Sequence, residues 1–313
     1  MINFNAKENV KLFDLIMSKL IAFNFTNVVV LFRTTRNWFS LGLSYLGQNK
    51  EFTVKFRDGE VKTYQTPTQV FKDSVAKYLV NSKRVTVVNK RVKFEYKDRE
   101  IVLAGGVVLC TPLILENFFN EEYRAFNVKG RVVLDIGANI GDTAIYFVLN
   151  GAKKVYAVEP YPYQFQLAQE NVSLNKLGNK INLINEGCGG KDTLITVDAE
   201  VKGVSSIALK KSKKGKKIKI ESLRSLIKKC GLENAILKMD CEGYEYDIIF
   251  QSSVETLRKF SLIILEYHYG YLNLEKKLRA AGFFVKHTMP IFSSDRQISD
   301  YGMLRGIIYA KRL

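Results

Sequence analysis

The hydrophobic positions follow two different patterns along the chain, one before Gly130 and another after it. In the first part, apolar residues alternate with polar ones up to Asp58-Gly59, which is typical of a β-hairpin. Other stretches show helical spacing with one apolar face. Together they predict a small α+β module over residues 1–129. Its predicted elements are helices at 10–23 and 68–81 and extended segments at 52–56, 61–63, 85–88 and 92–96.

From Gly130 onwards, short apolar runs rich in Val, Ile and Leu alternate with helical stretches. Such alternation predicts a mostly parallel sheet that is covered by helices on both faces. We therefore place a second domain at residues 130–313. Its predicted strands are 132–136, 154–159, 181–185, 235–240, 262–266, 283–287 and 303–311, and its predicted helices are 164–176, 245–250 and 274–281.

The charge balance of the chain indicates the kind of partner it binds. The chain has 313 residues, with 48 Lys and Arg against 31 Asp and Glu, so its net charge is +17. An excess of this size favours an anionic partner, which could be nucleic acid, anionic lipid or acidic glycan. The two His exclude metal sites that need several imidazoles. The four Cys are widely spaced, which argues against a zinc ribbon or a disulfide framework.

Part of the positive charge is concentrated in one short segment. Seven lysines lie between Lys210 and Lys219, which predicts a basic loop or hairpin tip that contacts an anionic surface. Acidic residues near the N-terminus argue against a secretory signal, and charges within residues 12–32 argue against a membrane span. We expect a cytoplasmic protein that can lie peripherally at a membrane surface.

The most informative segment is the apolar strand that ends in Asp135 and runs into Gly137-Ala138-Asn139-Ile140-Gly141. Glycines allow a tight turn and a close approach of the backbone to a ligand. The helix that follows presents free N–H groups and a partial positive charge to a carboxylate or phosphate. The segment therefore predicts a nucleotide-type cofactor loop, with Asp135, Gly137, Ala138, Asn139 and Gly141 as its residues.

Glu159 ends the next predicted strand, where an acidic side chain accepts hydrogen bonds from ribose hydroxyls. Pro160 follows it and is predicted to flank the cofactor. Glu186, after the third strand, is a weaker candidate for the adenine amine. Because Asn139 stands two residues after Gly137, the loop lacks the G-x-G-x-x-G of dinucleotide folds. Its D-x-G-x-x-x-G form instead resembles class I S-adenosylmethionine-dependent methyltransferases.

Later motifs resemble one family within that class. The segments around strands four and five, with Glu159-Pro160 and residues 171–175, are similar to the FkbM family of methyltransferases over about residues 130–312. The resemblance implies a Rossmann-like, doubly wound α/β sheet with a terminal antiparallel strand, S-adenosyl-L-methionine as cofactor, and methyl transfer to a hydroxyl. The matching residues are Lys238, Asp240, Glu242, Gly243, Glu245, Glu266 and His268.

The carboxyl ends of these strands open on the cofactor crevice, so their polar residues are candidates for catalysis. A hydroxyl acceptor gains from a base that removes its proton, and His268 is the first candidate, followed by Asp240 and Glu242. With Glu266, the same residues could gather a divalent cation, which we favour less than a metal-free site. Lys238 and Glu245 are more simply interpreted as members of structural ion pairs.

Three functions remain open at this point. The first is O-methylation of a small molecule, a glycan or a lipid, and an acidic site suits such an acceptor better than a phosphate-bearing one. The second is RNA methylation, which the net charge and the run from Glu159 to Asn175 favour. The third is a cofactor-binding module without catalysis, against which the intact motifs argue.

Overall fold

The computed structural model describes residues 9–11, 13–14, 25–46, 51–124, 127–197, 215–293 and 303–313. The helix expected at residues 10–23 lies mostly outside this part of the chain. The hairpin predicted at residues 52–63 forms, with Phe52 paired to Tyr64. The second predicted pair of extended segments forms a hairpin that turns at Asn89 and Lys90, both of which have positive φ. Thr66 begins the helix expected at 68–81, because its hydroxyl accepts a hydrogen bond from Gln69 N.

The first 120 residues also contain elements that the sequence pattern missed. A third strand follows the second hairpin, and a helix interrupted by Pro112 continues into a π-helix, a rare form that often marks functional sites. The elements are α1 (Phe25–Thr34), α2 (Trp38–Leu46), β1 (Phe52–Lys55), β2 (Val61–Tyr64), α3 (Pro67–Asn81), β3 (Thr86–Val88), β4 (Arg91–Tyr96), β5 (Arg99–Ala104), α4 (Val107–Leu113) and the π-helix (Ile114–Phe119).

Strands after Gly130 form the large sheet that the alternating pattern predicts. The elements of this part are β6 (Val132–Ile136), α5 (Asp142–Leu149), β7 (Lys154–Val158), α6 (Pro162–Leu174), β8 (Ile181–Ile184), β9 (Gly187–Gly189), β10 (Thr193–Val197), β11 (Lys216–Ser222), α7 (Leu223–Cys230), β12 (Ala235–Met239), α8 (Glu245–Gln251), α9 (Val254–Leu257), β13 (Phe260–Tyr267), α10 (Leu272–Ala280), β14 (Phe283–His287), β15 (Ile291–Ser293) and β16 (Met303–Arg312). The strand order of the large sheet is β14-β16-β13-β12-β6-β7-β8, with β15 paired to β16, and β16 is antiparallel to both of its neighbours. The five strands from β13 to β8 are parallel.

Alternate residues of the parallel strands pack on opposite faces of the sheet, as the period of two requires. Val133 and Ile236 pack with α5, whereas Leu134 and Leu237 pack with α7, α8 and α10. The fold is therefore a doubly wound α/β sheet with a terminal antiparallel strand, preceded by α+β elements. From β6 the chain continues to β7 and β8 on one side of the sheet and later returns to β12 on the other side of β6. The topological switch point therefore lies between β6 and β12.

The N-terminal elements share their core with the large sheet. Phe94 and Phe118 belong to the same buried cluster as Tyr146 and Phe147 of α5. Phe118 and Tyr146 meet edge to face, with their ring centroids 5.8 Å apart. The segments on the two sides of residue 129 are therefore packed against each other, and the division into two domains at this residue stays a prediction.

A small second sheet, β10-β11-β9, was not expected from the pattern. Lys216, Lys217 and Lys219 of the predicted basic run lie on β11, in antiparallel register with β10. Lys210 to Lys214 fall outside the described residues. Among the helices that the structure describes, none is both long enough and apolar enough to cross a membrane.

Candidate functional site

The predicted cofactor loop forms a tight turn at the carboxyl end of β6. Gly137 and Gly141 have φ of 78° and 82°, and Asn139 also has positive φ. Gly141 begins α5 in the left-handed conformation, and its N–H donates to Ala138 O at 2.7 Å. Asp240 N donates to Ile136 O at 3.0 Å, so the end of β12 lies beside the turn. The turn therefore lies at the switch point, where open α/β sheets bind ligands.

Glu159 lies beside this turn, as the sequence predicts. Its two carboxylate oxygens accept hydrogen bonds from Asn139 N and Tyr161 N, both at 2.9 Å. The side chain is buried, and burial raises the pKa of Glu159 to about 7. Since each carboxylate oxygen has a second lone pair, the group can still accept hydrogen bonds from ribose hydroxyls. This arrangement fits the ribose of a nucleoside cofactor.

Asp135 and Lys238 form a fully buried ion pair between adjacent strands, with Nζ 3.0 Å from Oδ1. Lys238 Nζ also donates to Gly137 O at 3.0 Å, and Thr143 Oγ1 donates to Asp135 Oδ2 at 2.6 Å. Although burial opposes it, the charge of Asp135 raises the pKa of Lys238 above its ordinary value. The interpretation of Lys238 as a structural residue fits this geometry. Asp135 holds the loop from beneath, so we infer that its contribution to cofactor binding is indirect.

The candidate catalytic residues meet at the carboxyl ends of β12 and β13. His268 is 2% exposed, and its Nε2 lies 3.5 Å from Glu242 Oε2 and 3.9 Å from Asp240 Oδ1. Its Nδ1 lies 3.3 Å from Glu245 Oε1. Glu245 is fixed in turn, because its carboxylate accepts hydrogen bonds from Cys241 N and Gly243 N at 2.6 and 2.8 Å.

These groups change one another's ionisation. Burial raises the pKa of Glu242 to about 7, although His268 opposes the shift. Burial, together with the charge of Asp240, raises the pKa of Glu266 well above its ordinary value. Burial by itself would lower the pKa of His268, but Glu245 and the other carboxylates raise it well above its usual range. The ionisation of His268 and that of the surrounding carboxylates therefore depend on one another.

Three charged residues of the site, Glu116, Glu122 and Arg305, carry no motif and were missed by the sequence analysis. Burial raises the pKa of Glu116, on the π-helix, while the positive charge of Arg305 on β16 opposes the shift. Arg305 Nη1 lies 3.6 Å from Glu266 Oε1. The site therefore includes acidic residues from the N-terminal module, which its sequence pattern did not indicate.

Asparagine side chains connect the cofactor loop to the N-terminal elements. Asn171 Oδ1 accepts from Ala104 N at 2.6 Å, and its Nδ2 donates to Ile140 O at 2.9 Å. Asn117 Nδ2 donates to Asp142 Oδ2 at 2.6 Å. Both asparagines are buried, and they explain why the chain around Gly141 keeps its conformation.

Pro160 and Glu186, the other two predicted cofactor residues, differ in their surroundings. Asn185 Nδ2 donates to the backbone oxygens of Glu159 and Pro160 at 2.9 and 3.2 Å, so Pro160 is held at the site. Lys229 and Lys219 form ion pairs with the Glu186 carboxylate. The predicted contact of Glu186 with adenine stays a prediction.

Residues 135–285 match the family model described as the methyltransferase FkbM domain. This segment of the chain is a methyltransferase FkbM domain. The match begins at Asp135, in the strand before the cofactor loop, and ends on β14. It therefore contains the loop, Glu159 and the cluster around His268, and the family resemblance drawn from these motifs is confirmed.

Curated relatives match this chain over shorter segments. The chain is 36% identical over 87 residues to the ribosomal protein L11 methyltransferase of Carboxydothermus hydrogenoformans, which is 28% of this chain and 27% of the relative. It is 25% identical over 124 residues to the tRNA (guanine(37)-N(1))-methyltransferase Trm5b of Pyrococcus abyssi, covering 34% of this chain and 37% of the relative. The chain thus spans about a quarter to a third of the length of these relatives.

Solved structures were also matched. The methyltransferase FkbM from Methylobacillus flagellatus aligns with 12% identity and a TM-score of 0.42, over 78% of this chain and 55% of that one. The tRNA m1G37 methyltransferase of M. jannaschii aligns with 12% identity and a TM-score of 0.40, over 72% and 57%.

Proposed function

We propose that this protein uses S-adenosylmethionine to methylate a hydroxyl of a small-molecule, glycan or lipid acceptor. One observation supports this most: the glycine turn with Glu159 and the cluster around His268 open on the same edge of the sheet, at the switch point. Cofactor and acceptor would meet there, and the domain's family is one of methyltransferases.

The residues at the turn fit the cofactor. S-adenosylmethionine supplies a methyl group on a positively charged sulfur, and Glu159 is positioned to accept hydrogen bonds from its ribose. Gly137 and Gly141 keep the turn free of side chains, so a ligand can approach the backbone closely. Methyl transfer is an in-line displacement, so holding the acceptor oxygen in line can supply a large part of the acceleration.

Glu242 is the group we propose as the proton acceptor. Its side chain is 27% exposed, whereas the His268 side chain is 3% exposed and lies behind it. The sequence favours His268 for this role, but an acceptor reaches the more exposed carboxylate first. His268 would then hold Glu242 and Asp240 in position, and Glu266 would line the same opening.

An acidic opening supports a polyhydroxylated acceptor. Glu116, Asp240, Glu242 and Glu266 lie within electrostatic range of Arg305 or of one another. Carboxylates accept hydrogen bonds from sugar-type hydroxyls, whereas they repel phosphates. This argues for a neutral acceptor rather than a nucleic acid.

Nucleic acid or protein remains a second candidate acceptor because of the relatives. One curated relative is a tRNA methyltransferase and another a ribosomal protein methyltransferase. The net charge of +17 is also compatible with RNA.

An extract assay separates these candidates. The purified chain is incubated with methyl-labelled S-adenosylmethionine and with cell extract divided into RNA, protein, lipid and glycan or small-molecule fractions. We expect label in the lipid, glycan or small-molecule fractions, and its loss with Glu242→Gln but not with the exposed-surface control Glu255→Gln. Label confined to RNA or protein would overturn the proposed acceptor class, and no transfer in any fraction would count against the enzyme assignment.

A further inference from the structure

Three side chains of the site hold possible metal-ligand atoms close together. Asp240, Glu266 and His268 each offer one ligand atom, and these atoms lie within 4.8 Å of one another. Donor atoms that bind one divalent cation at about 2.1–2.5 Å lie up to about twice that distance apart. Two carboxylates and an imidazole therefore already stand close to a coordinating arrangement.

The imidazole of His268 presents one nitrogen to the same opening. It is 2% exposed, and its Nδ1 lies 3.3 Å from Glu245 Oε1, on the side away from the opening. Its Nε2 points to the Asp240 and Glu242 carboxylates, at 3.9 and 3.5 Å. Nε2 is therefore the nitrogen that can bind a ligand held by these carboxylates.

Glu245 stands behind His268 as a carboxylate does behind a metal-bound histidine. Its Oε1 is 3.3 Å from Nδ1, and two backbone N–H groups fix its orientation. When a histidine binds a metal through one nitrogen, its other N–H usually donates to a carboxylate or carbonyl. With Nδ1 facing Glu245, Nε2 is the nitrogen placed to bind a cation at the opening.

The balance of charge at the opening also favours a cation. Arg305 lies 3.6 Å from Glu266, and among the carboxylates of Asp240, Glu242 and Glu266 it forms an ion pair in the described residues with Glu266 alone. Glu116 adds a further carboxylate from the π-helix, and Lys238 is already paired with Asp135. Among the described residues, acidic groups thus outnumber the cations at this opening, which favours a bound cation.

We propose that Asp240, Glu266 and Nε2 of His268 bind a divalent cation of the Mg²⁺ or Mn²⁺ class. Oxygen and imidazole donors suit such ions. Three protein ligands leave coordination positions open for the acceptor's oxygen. This inference rests on the proposed function and specifies how the acceptor is activated.

The chemistry balances without another reactant. The acceptor's hydroxyl oxygen binds the cation, which makes its proton more acidic. Glu242 takes that proton as the oxygen forms a bond to the methyl carbon. The bond between that carbon and the sulfonium sulfur breaks, its electron pair stays on sulfur, and S-adenosylhomocysteine leaves.

Mn²⁺ binding to the full chain, without cofactor or acceptor, tests the cation directly. We expect one Mn²⁺ per chain by electron paramagnetic resonance titration, and at least tenfold weaker binding by Asp240→Asn and by His268→Gln. Glu116→Gln is the matched control, because it removes a nearby negative charge without removing a ligand. Its Mn²⁺ affinity should change less than threefold.

Asp240→Asn keeps the test valid if His268→Gln does not fold, since the Asp240 side chain is 31% exposed and Asn has the same shape. Absence of Mn²⁺ binding, or equal loss in the control and the ligand variants, would overturn the cation site. S-adenosylhomocysteine binding, measured on the same samples by calorimetry, separates the two proposals. Retained cofactor binding without Mn²⁺ binding would leave the proposed function standing and remove the metal.

Discussion

At the scale of single residues, the cofactor turn depends on a backbone contact between two strands. A Cβ added at Gly137 would overlap the carbonyl oxygen of Asp240. Gly130 has a similar φ, 72° against 78°, but a Cβ added there would meet no atom within 4 Å. The two glycines therefore separate the cost of positive φ from the cost of steric overlap.

Gly137→Ala should lower the free energy of unfolding by more than about 4 kcal/mol or prevent folding, because β12 must move away from the turn. Gly130→Ala should cost about 1–2 kcal/mol, which is the cost of left-handed backbone for a residue with a Cβ. Chemical denaturation of both variants measures the difference. Equal losses would mean that the contact with Asp240 is unimportant.

Glu159 should make cofactor binding depend on pH. Burial raises its pKa to about 7 in the free protein, and ribose hydroxyls donate best to the ionised form. The affinity for S-adenosylhomocysteine should therefore rise as pH rises through about 7 and fall by up to about tenfold per pH unit below it.

Calorimetry at several pH values between 6 and 8 measures this dependence. Below pH 7 binding should also release a proton, which appears as a dependence of the heat on the buffer. Glu159→Gln should bind more weakly with a flat profile. A flat profile for the unchanged protein would contradict the assigned role of Glu159.

A functional residue can be predicted from the sequence when it directly follows a parallel strand, because the ends of such strands form the ligand site. Gly137, Glu159, Asp240 and His268 all follow parallel strands, so their meeting at one edge was predictable. Which side chains form hydrogen bonds or ion pairs with one another could not be predicted in this way. That Asp135 pairs with Lys238 depends on β6 lying next to β12, which no local pattern encodes.

At the scale of elements, the π-helix is the piece that local patterns could not predict. Its extra residue per turn follows a helix that contains Pro112, and no propensity scale distinguishes it from an α-helix. The turn brings Asn117 against Asp142, whose pKa burial raises to about 7. The small sheet of β9 to β11 was missed for a related reason, since β9 has three residues, two of them glycines.

Asn117→Ala should lower the free energy of unfolding by about 1–3 kcal/mol, because Asp142 loses a donor while remaining buried. Asn120→Ala, at the exposed end of the same π-helix, should change it by less than about 0.5 kcal/mol. Thermal and chemical denaturation of the two variants give the comparison. Similar losses would show that the hydrogen bond to Asp142 contributes little.

On the scale of the whole molecule, a short N-terminal segment is bound to the far end of the chain. Asn9 is 2% exposed; its Nδ2 donates to Tyr269 O, and its Oδ1 accepts from Asn273 N, both at 2.8 Å. The Asn9 backbone oxygen accepts from Tyr271 N and Leu272 N. The segment fixes the backbone that follows His268.

Asn9→Ala should destabilise the protein by about 1–3 kcal/mol, since it removes two part-buried hydrogen bonds, one to the Tyr269 carbonyl and one from the Asn273 N–H. The exposed neighbour Lys11 provides the control, and Lys11→Ala should be nearly neutral. Urea denaturation followed by tryptophan fluorescence or circular dichroism measures both. A neutral Asn9→Ala would mean that the segment is held by other contacts.

The position of β16 has a consequence for synthesis on the ribosome. This strand lies between β13 and β14, so β13 keeps an unpaired edge, and β14 stays without a place in the sheet, until residues 303–312 have been made. The contact of Asn9 with Tyr269 likewise joins residues 260 positions apart. Contacts so distant in sequence form late and leave apolar strand edges exposed meanwhile. The nascent chain should therefore depend on chaperones between the synthesis of β13 and that of β16.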